Sequence, residues 1–155
     1  EFRRVLFRSV GVKTRQFADK IMDASSFLRN VLRLQSEHFR DSGPKTAYHA
    51  PCHLCRGLGV GTAPRELLNL AGLDYVPHPD EETCCGLGGT YSMKFPEISR
   101  TIAQDKLERI QALDAEYLVT DCPGCIMQLR GTAAKEQRPI TVLHMVEALA
   151  RQLQP

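Results

Sequence analysis

The chain has 155 residues, 20 Lys and Arg against 18 Asp and Glu, a formal net charge of +2, and 43% hydrophobic residues. That length suits one domain with a real core, or half of a two-domain protein, and the ordinary composition argues against wholesale disorder. No apolar run approaches the ~18 residues that cross a bilayer, and a surplus of two charges without a basic stripe carries no nucleic-acid signature.

Residues 1–9 (EFRRVLFRS) form a basic-apolar stretch without cap, turn or clear period, and they read as a non-native remnant. A signal peptide would also begin basic, but Arg8 interrupts the apolar stretch, and Lys13 and Arg15 follow closely. On this reading the native chain begins near Val10, is the C-terminal piece of something longer, and works in the cytoplasm or against the inner face of the membrane.

Residues 13–40 read as helical, restarting near Asp23, an N-cap candidate ahead of Ala24-Ser25-Ser26-Phe27-Leu28. Val31, Leu32 and Leu34 supply the apolar side. Ser42-Gly43-Pro44 is punctuation, and Thr46 to His49 is a strand running into Pro51-Cys52. Pro64 opens a helix over Arg65 to Ala71, which Gly72 closes. Leu73 to Val76 reads as the second strand, and Gly86, Gly88 and Gly89 mark a flexible loop. A helix from about Pro96 to Leu113 carries Ile98, Ile102, Ile110 and Leu113 on its apolar face. Tyr117 to Thr120 is the third strand, followed by a helix after Cys125; Ile140 to Val142 is the fourth. In the last helix Leu143, Val146, Leu149, Ala150 and Leu153 form a stripe.

Strands alternating with helices predict a Rossmann-like α/β fold: a parallel sheet of about four strands with helices on both faces. Sites in such sheets gather beyond the carboxyl ends of the strands. Cys52 and Cys122 directly follow predicted strands, and Cys84-Cys85 can reach the same rim, so the cysteines are expected to cluster there.

Four accounts meet the six cysteines. Three disulfides would suit a small secreted domain, but adjacent Cys84 and Cys85 cannot bridge each other without strain. A structural zinc site could use Cys52-x-x-Cys55 and Cys122-x-x-Cys125, leaving Cys84 and Cys85 idle. A dithiol redox pair at Cys122-Pro123-Gly124-Cys125 would need neither the double cysteine nor Cys52. An iron–sulfur cluster presents several irons, so adjacent cysteines can each find one, and glycines let backbone N–H groups approach the sulfurs. Cys84-Cys85-Gly86-Leu87-Gly88-Gly89 has that character.

Cys52, thirty-one residues, Cys84-Cys85, thirty-six residues, then Cys122-x-x-Cys125 resembles the cysteine-rich CCG domain. The similarity spans about Lys45 to Leu153, including Tyr48-His49-x-Pro51-Cys52-His53-Leu54. That family includes the cysteine-rich subunit of heterodisulfide reductase and the iron–sulfur subunits of glycolate oxidase, lactate-utilisation complexes and anaerobic glycerol-3-phosphate dehydrogenase. The resemblance implies that Cys52, Cys84, Cys85, Cys122 and Cys125 hold a [4Fe-4S] cluster, non-cubane in heterodisulfide reductase, with zinc as the alternative; Cys55 lies outside the set. Gly88 to Ser99 is most similar to the lactate-utilisation and glycolate-oxidase branch. The implied function is electron transfer within a complex that oxidises a 2-hydroxy acid, not catalysis by this chain alone. The implied partners are an FAD-linked dehydrogenase subunit, another iron–sulfur protein, and a quinone or other carrier. Heterodisulfide reductase-like catalysis is the alternative of a different class. Residues 10–44 are then expected to be a helical linker from a missing N-terminal part, and 45–155 the cysteine-rich domain.

The remaining polar residues have weaker readings. His49 and His53 flank Cys52; each is either a sulfur hydrogen-bond donor or metal ligand, or an ordinary strand-end or cap histidine. Arg56 either offsets thiolate charge or is solvated. His78 and His144 read as surface or helix residues, Lys106, Glu108 and Arg109 as a solvated helix face, and Met93 and Phe95 as core or interface.

Overall fold

A computed structural model describes residues 16–18 and 20–154. The remnant expected at residues 1–9 lies outside the described residues.

Short apolar runs build the sheet. The strands are β1 (Lys45–His49), β2 (Asp74–Tyr75), β3 (Tyr117–Thr120) and β4 (Thr141–His144), all parallel, in the order β2-β1-β3-β4. Thr46 to His49 and Leu118 to Thr120 are buried without a break, as expected for strands covered on both faces. Because successive strand residues point to opposite faces, the register sorts the core into two layers. Ala47 lies beside Leu118 and Leu118 beside Val142; Tyr48 lies beside Val119 and Val119 beside Leu143.

Four helices of eight or more residues cover these layers among the described residues: α1 (Ala63–Leu70), α2 (Pro96–Gln111), α3 (Pro123–Lys135) and α4 (Met145–Gln152). Tyr48, Val119 and Leu143 pack with Leu67 and Leu68 of α1 and with Met145, Ala148 and Leu149 of α4. Ala47, Leu118 and Val142 pack with Ala103, Leu107 and Ile110 of α2 and with Leu129 and Ala133 of α3. The chain runs outward from β1 to β2 and then returns past β1 to β3, so the crossover helix changes face between α1 and α2. This reversal makes the gap between the carboxyl ends of β1 and β3 the switch point of the sheet, where open α/β folds place their sites.

Several expectations hold. Pro64 lies in the first turn of α1, Gly72 follows its end with a φ of 69°, and the Asp23 carboxylate accepts from Ser26 N–H at 2.8 Å. Others are corrected. Residues 16–18 are helical and the chain restarts at Asp23 as expected, but beyond it the helical pieces are short, Ala24–Ser26, Phe27–Val31 and a 3₁₀ turn at Ser36–His38. Val31 and Leu32 are exposed, whereas Leu28 and Leu34 pack on the core. Phe39 pairs with Leu153 in an isolated bridge, and Arg40 N–H donates to Gln152 O, so tertiary pairing rather than helix propagation settles this segment. A π-helical stretch, His53–Leu58, stands where no element was expected.

The buried face of α2 is Ser99, Ala103, Lys106, Leu107 and Ile110, and Ile98 is 53% exposed. Leu143 belongs to β4, and α4 buries Met145, Ala148, Leu149 and Gln152 while Val146 and Leu153 face outward. In both helices the buried face is rotated from the expected stripe, keeping Ile110 of α2 and Leu149 of α4.

The two faces of α2 make different demands on stability. Leu107→Ala should cost about 2–5 kcal/mol, because it empties a fully buried position. Ile98→Ala should stay within about 0.5 kcal/mol. Urea denaturation monitored by circular dichroism checks this; equal losses would mean the helix is rotated from the orientation described.

Candidate metal centre

Two strands deliver the first groups. His49 is the last residue of β1, and Cys52 follows it over Ala50 and Pro51. Cys122 caps α3 immediately beyond β3 with extended backbone, its sulfur 3.5 Å from Cys125 N–H. Since the strands are parallel neighbours, their carboxyl ends meet at one rim. The α3 N-terminus beneath Cys122 favours negative charge on sulfur.

The loop carrying Cys84 and Cys85 brings Cys85 to Cys125. Cys85 and Cys125 are buried in the α2/α3 layer with their sulfurs 3.1 Å apart, and Cys122 packs against the same layer. Cys52 and Cys84 are exposed, and Gly86 N–H points at the Cys84 sulfur from 3.3 Å. The S–H of Cys125 holds Cys85 and Cys122 well below the ordinary thiol range, while two flanking thiolates push Cys125 itself upward. Backbone N–H groups of Leu87 and Gly124 add to the lowering at Cys85 and Cys122. Such convergence of low thiols and aimed N–H groups is the chemistry of a soft-metal site.

His49 belongs to this group. Two residues beyond Ala47, strand alternation turns it toward the α2/α3 layer. A ring nitrogen of His49 and the sulfurs of Cys85 and Cys125 all lie within 4.8 Å of one another. Its Nδ1 is 3.2 Å from the Glu81 carbonyl, and its buried Nε2 has no hydrogen-bond partner.

Cys55 stands apart. It packs against the α1/α4 layer on the opposite sheet face, and burial raises its thiol pKa.

The profile of the CCG family, described as a cysteine-rich domain, matches residues 46–130. This chain belongs to the CCG family. Among curated proteins the chain is similar to lactate utilization protein A of Geobacillus sp. (strain WCH70), 40% identical over 139 residues, covering 88% of this chain and 58% of that protein. It is likewise similar to lactate utilization protein A of Anoxybacillus flavithermus (strain DSM 21510 / WK1), at 38% identity over 139 residues with 88% and 58% covered. The namesake in Lysinibacillus sphaericus (strain C3-41) is 36% identical over 138 residues, with 88% and 60% covered. The chain therefore spans a little over half the length of these relatives. Among the described residues no helix is long and apolar enough to cross a membrane.

Behind the sulfurs of this CCG domain lies a charged support that the sequence did not reveal. Lys106, read as solvated, is 2% exposed, and its Nζ donates to the carbonyls of Asp80 at 2.7 Å and Thr83 at 3.0 Å and to Thr83 Oγ1 at 3.0 Å. Burial lowers its pKa to about 8, against the pull of Asp80 and the nearby cysteines. The available signal was its place in the 99, 103, 106, 110 row of α2, where a lysine among small and apolar residues needs partners.

Glu81 is equally hidden: its carboxylate meets Arg65 Nε at 2.8 Å and the Tyr75 hydroxyl, and its carbonyl accepts from Ala50 N–H at 2.9 Å. Asp121 accepts from Ser25 and, at 2.7 Å, from Tyr48, which orients the turn into Cys122; burial raises its carboxyl pKa.

The other polar readings divide. Exposed His53 is not in the buried group, although its charge contributes to the lowering at Cys122; Arg56 is exposed. His78 is half-buried, with Nε2 3.1 Å from Tyr48 O, rather than a surface residue. His144 caps α4, where its Nδ1 accepts from Val146 N–H. Met93 and Phe95 are exposed, which removes the core reading.

Gly86 has a φ of 89°, and an added Cβ would lie 2.4 Å from the Ser99 carbonyl oxygen. Gly86→Ala should therefore cost at least about 1–3 kcal/mol from backbone strain alone. Lys106→Met should cost about 1–3 kcal/mol for each buried carbonyl left without its donor. Hydrogen exchange is expected to locate the loosening at residues 80–86 for both variants; unchanged protection there would contradict the described support.

Proposed function

We propose that this CCG domain holds an iron–sulfur cluster and relays electrons within a lactate-utilisation system. The reading is carried by the vicinal pair, with Cys85 buried against Cys125 and Cys84 exposed beside it. Neighbouring residues cannot readily serve one tetrahedral ion, whereas a cluster offers separate irons. Lowered thiols, N–H groups directed at Cys84 and Cys122, and the orphaned His49 nitrogen all suit a soft, electron-rich group. Cys52, Cys84, Cys85, Cys122 and Cys125 would hold it. When bound, a cluster of this kind supplies one-electron transfer, at a potential set by burial and by hydrogen bonds to sulfur.

The chain's own residues provide the tuning. The α3 N-terminus and the N–H groups at Gly86, Leu87, Gly124 and Cys125 offset negative charge on sulfur. The Lys106 ammonium does the same from behind the loop. Oxidation of the 2-hydroxy acid belongs, in this proposal, to an FAD-linked dehydrogenase partner in the cytoplasm or at the inner face of the membrane. A further iron–sulfur protein and a quinone or other carrier receive the electrons. Similarity to proteins named lactate utilization protein A favours lactate over glycolate or a heterodisulfide. The place of Cys55 on the opposite sheet face counts against a zinc site built from both Cys-x-x-Cys pairs.

Anaerobic reconstitution with iron and sulfide tests the proposal. The wild-type chain should gain sulfur-to-iron charge-transfer absorption and a paramagnetic signal in one oxidation state. Cys84→Ser and Cys85→Ser should each lose most of the bound iron, and Cys55→Ser should retain it. Tight stoichiometric zinc that depends on Cys55 and ignores Cys84 and Cys85 would replace the cluster with a structural ion.

A further inference from the structure

We propose that His49 is itself a ligand of this centre, binding through Nε2 beside Cys85 and Cys125; the inference rests on the metal-centre reading above and adds a nitrogen donor to its cysteines.

The argument starts from the ring's hydrogen bond. A backbone carbonyl only accepts, so the 3.2 Å contact between Nδ1 and Glu81 O places the ring proton on Nδ1. In the neutral ring the lone pair then resides on Nε2. That nitrogen is buried, in a residue 2% exposed, and meets no donor in the protein. A buried acceptor of this kind is an uncompensated loss unless something electron-poor sits against it. The candidates for its company are the sulfurs of Cys85 and Cys125, since a ring nitrogen of His49 and those two sulfurs lie within 4.8 Å of one another. Two sulfurs and one imidazole nitrogen lacking a proton form a ligand set rather than a hydrogen-bond network.

The surroundings hold the ring in place for that role. Metal-bound histidines commonly donate their other N–H to a carbonyl or carboxylate, which sets tautomer and orientation. Glu81 is such a partner and is itself fixed: its carbonyl also accepts from Ala50 N–H at 2.9 Å, with Lys106 Nζ at 3.5 Å, and Arg65 grips its carboxylate. A neutral imidazole brings less negative charge to an iron–sulfur centre than a thiolate would, so the centre with His49 would lie at a higher potential than one with cysteine in its place.

Pulsed electron paramagnetic resonance on the 155-residue chain decides the matter, with histidine supplied at natural abundance or labelled with nitrogen-15. After anaerobic reconstitution with iron and sulfide, the wild type should show a strongly coupled, isotope-sensitive histidine nitrogen. His49→Asn keeps a donor for the Glu81 carbonyl but has no Nε2, and should abolish that coupling while the chain stays folded. His53→Asn should leave it unchanged. His49→Cys should retain the cluster at a more negative potential.

A cluster with no strongly coupled histidine nitrogen, or one whose coupling survives His49→Asn, would overturn the ligand role and leave the cluster reading intact. Absence of any iron–sulfur absorption would instead defeat the cluster reading. Cobalt(II) titrated into the same apoprotein then judges His49 separately. Nitrogen coupling lost in His49→Asn would sustain the ligand role, and cobalt bound without it, or no cobalt bound, would end it.

Discussion

The peptide carbonyl of Glu81 joins two segments that are distant in sequence. It accepts from His49 and Ala50, at the end of β1, and lies within reach of Lys106 from α2. These interactions fasten the loop that leads into Cys84 and Cys85 against the strand that leads into Cys52. Without them the loop would have little reason to fold over the sheet rim, because its glycines favour turns but specify no destination. The Glu81 side chain adds a second anchor through Arg65 and Tyr75. Together they turn a flexible-looking connection into a positioned one.

The parallel sheet makes this convergence possible. Parallel strands present their carboxyl ends on one side, and the reversal of chain direction after β2 opens a gap between β1 and β3. Strand alternation then assigns roles. Tyr48 turns to the α1/α4 layer and supports Asp121, while Ala47 and His49 turn to the layer that receives Cys85 and Cys125. Cys55 is separated from them by its place after the strand. It follows β1 within the π-helical stretch and packs on the Tyr48 side. Cysteines only three residues apart thus meet different environments.

The buried charges in this region follow from the same architecture. Lys106 is stable inside because it satisfies carbonyls of a loop that has no secondary structure to absorb them. It also lies on the side of the sheet where thiolate charge collects, so one side chain serves loop order and electrostatic balance. It shares the buried face of α2 with Ser99, Ala103, Leu107 and Ile110. The helix approaches Gly86 closely, and a Cβ added there would meet Ser99 O at 2.4 Å and Ile102 Cβ at 3.2 Å.

The amino-acid sequence by itself determined the parallel α/β class, all four strands to within two residues, the caps at Asp23, Pro64 and Gly72, the CCG family, and the cysteines of interest. Short apolar runs, turn residues and cysteine spacing are local signals that survive without coordinates. Only the tertiary structure decided the faces of α2 and α4, the short helical pieces after Asp23, the burial of Lys106, and the entry of His49 alongside Cys85 and Cys125. Each of these depends on which distant segment offers a partner. A lysine is buried when a loop brings carbonyls to it, and a histidine joins a cluster when strand register turns it toward sulfurs from two other loops. Such pairings belong to the packed chain and leave no periodic mark along it.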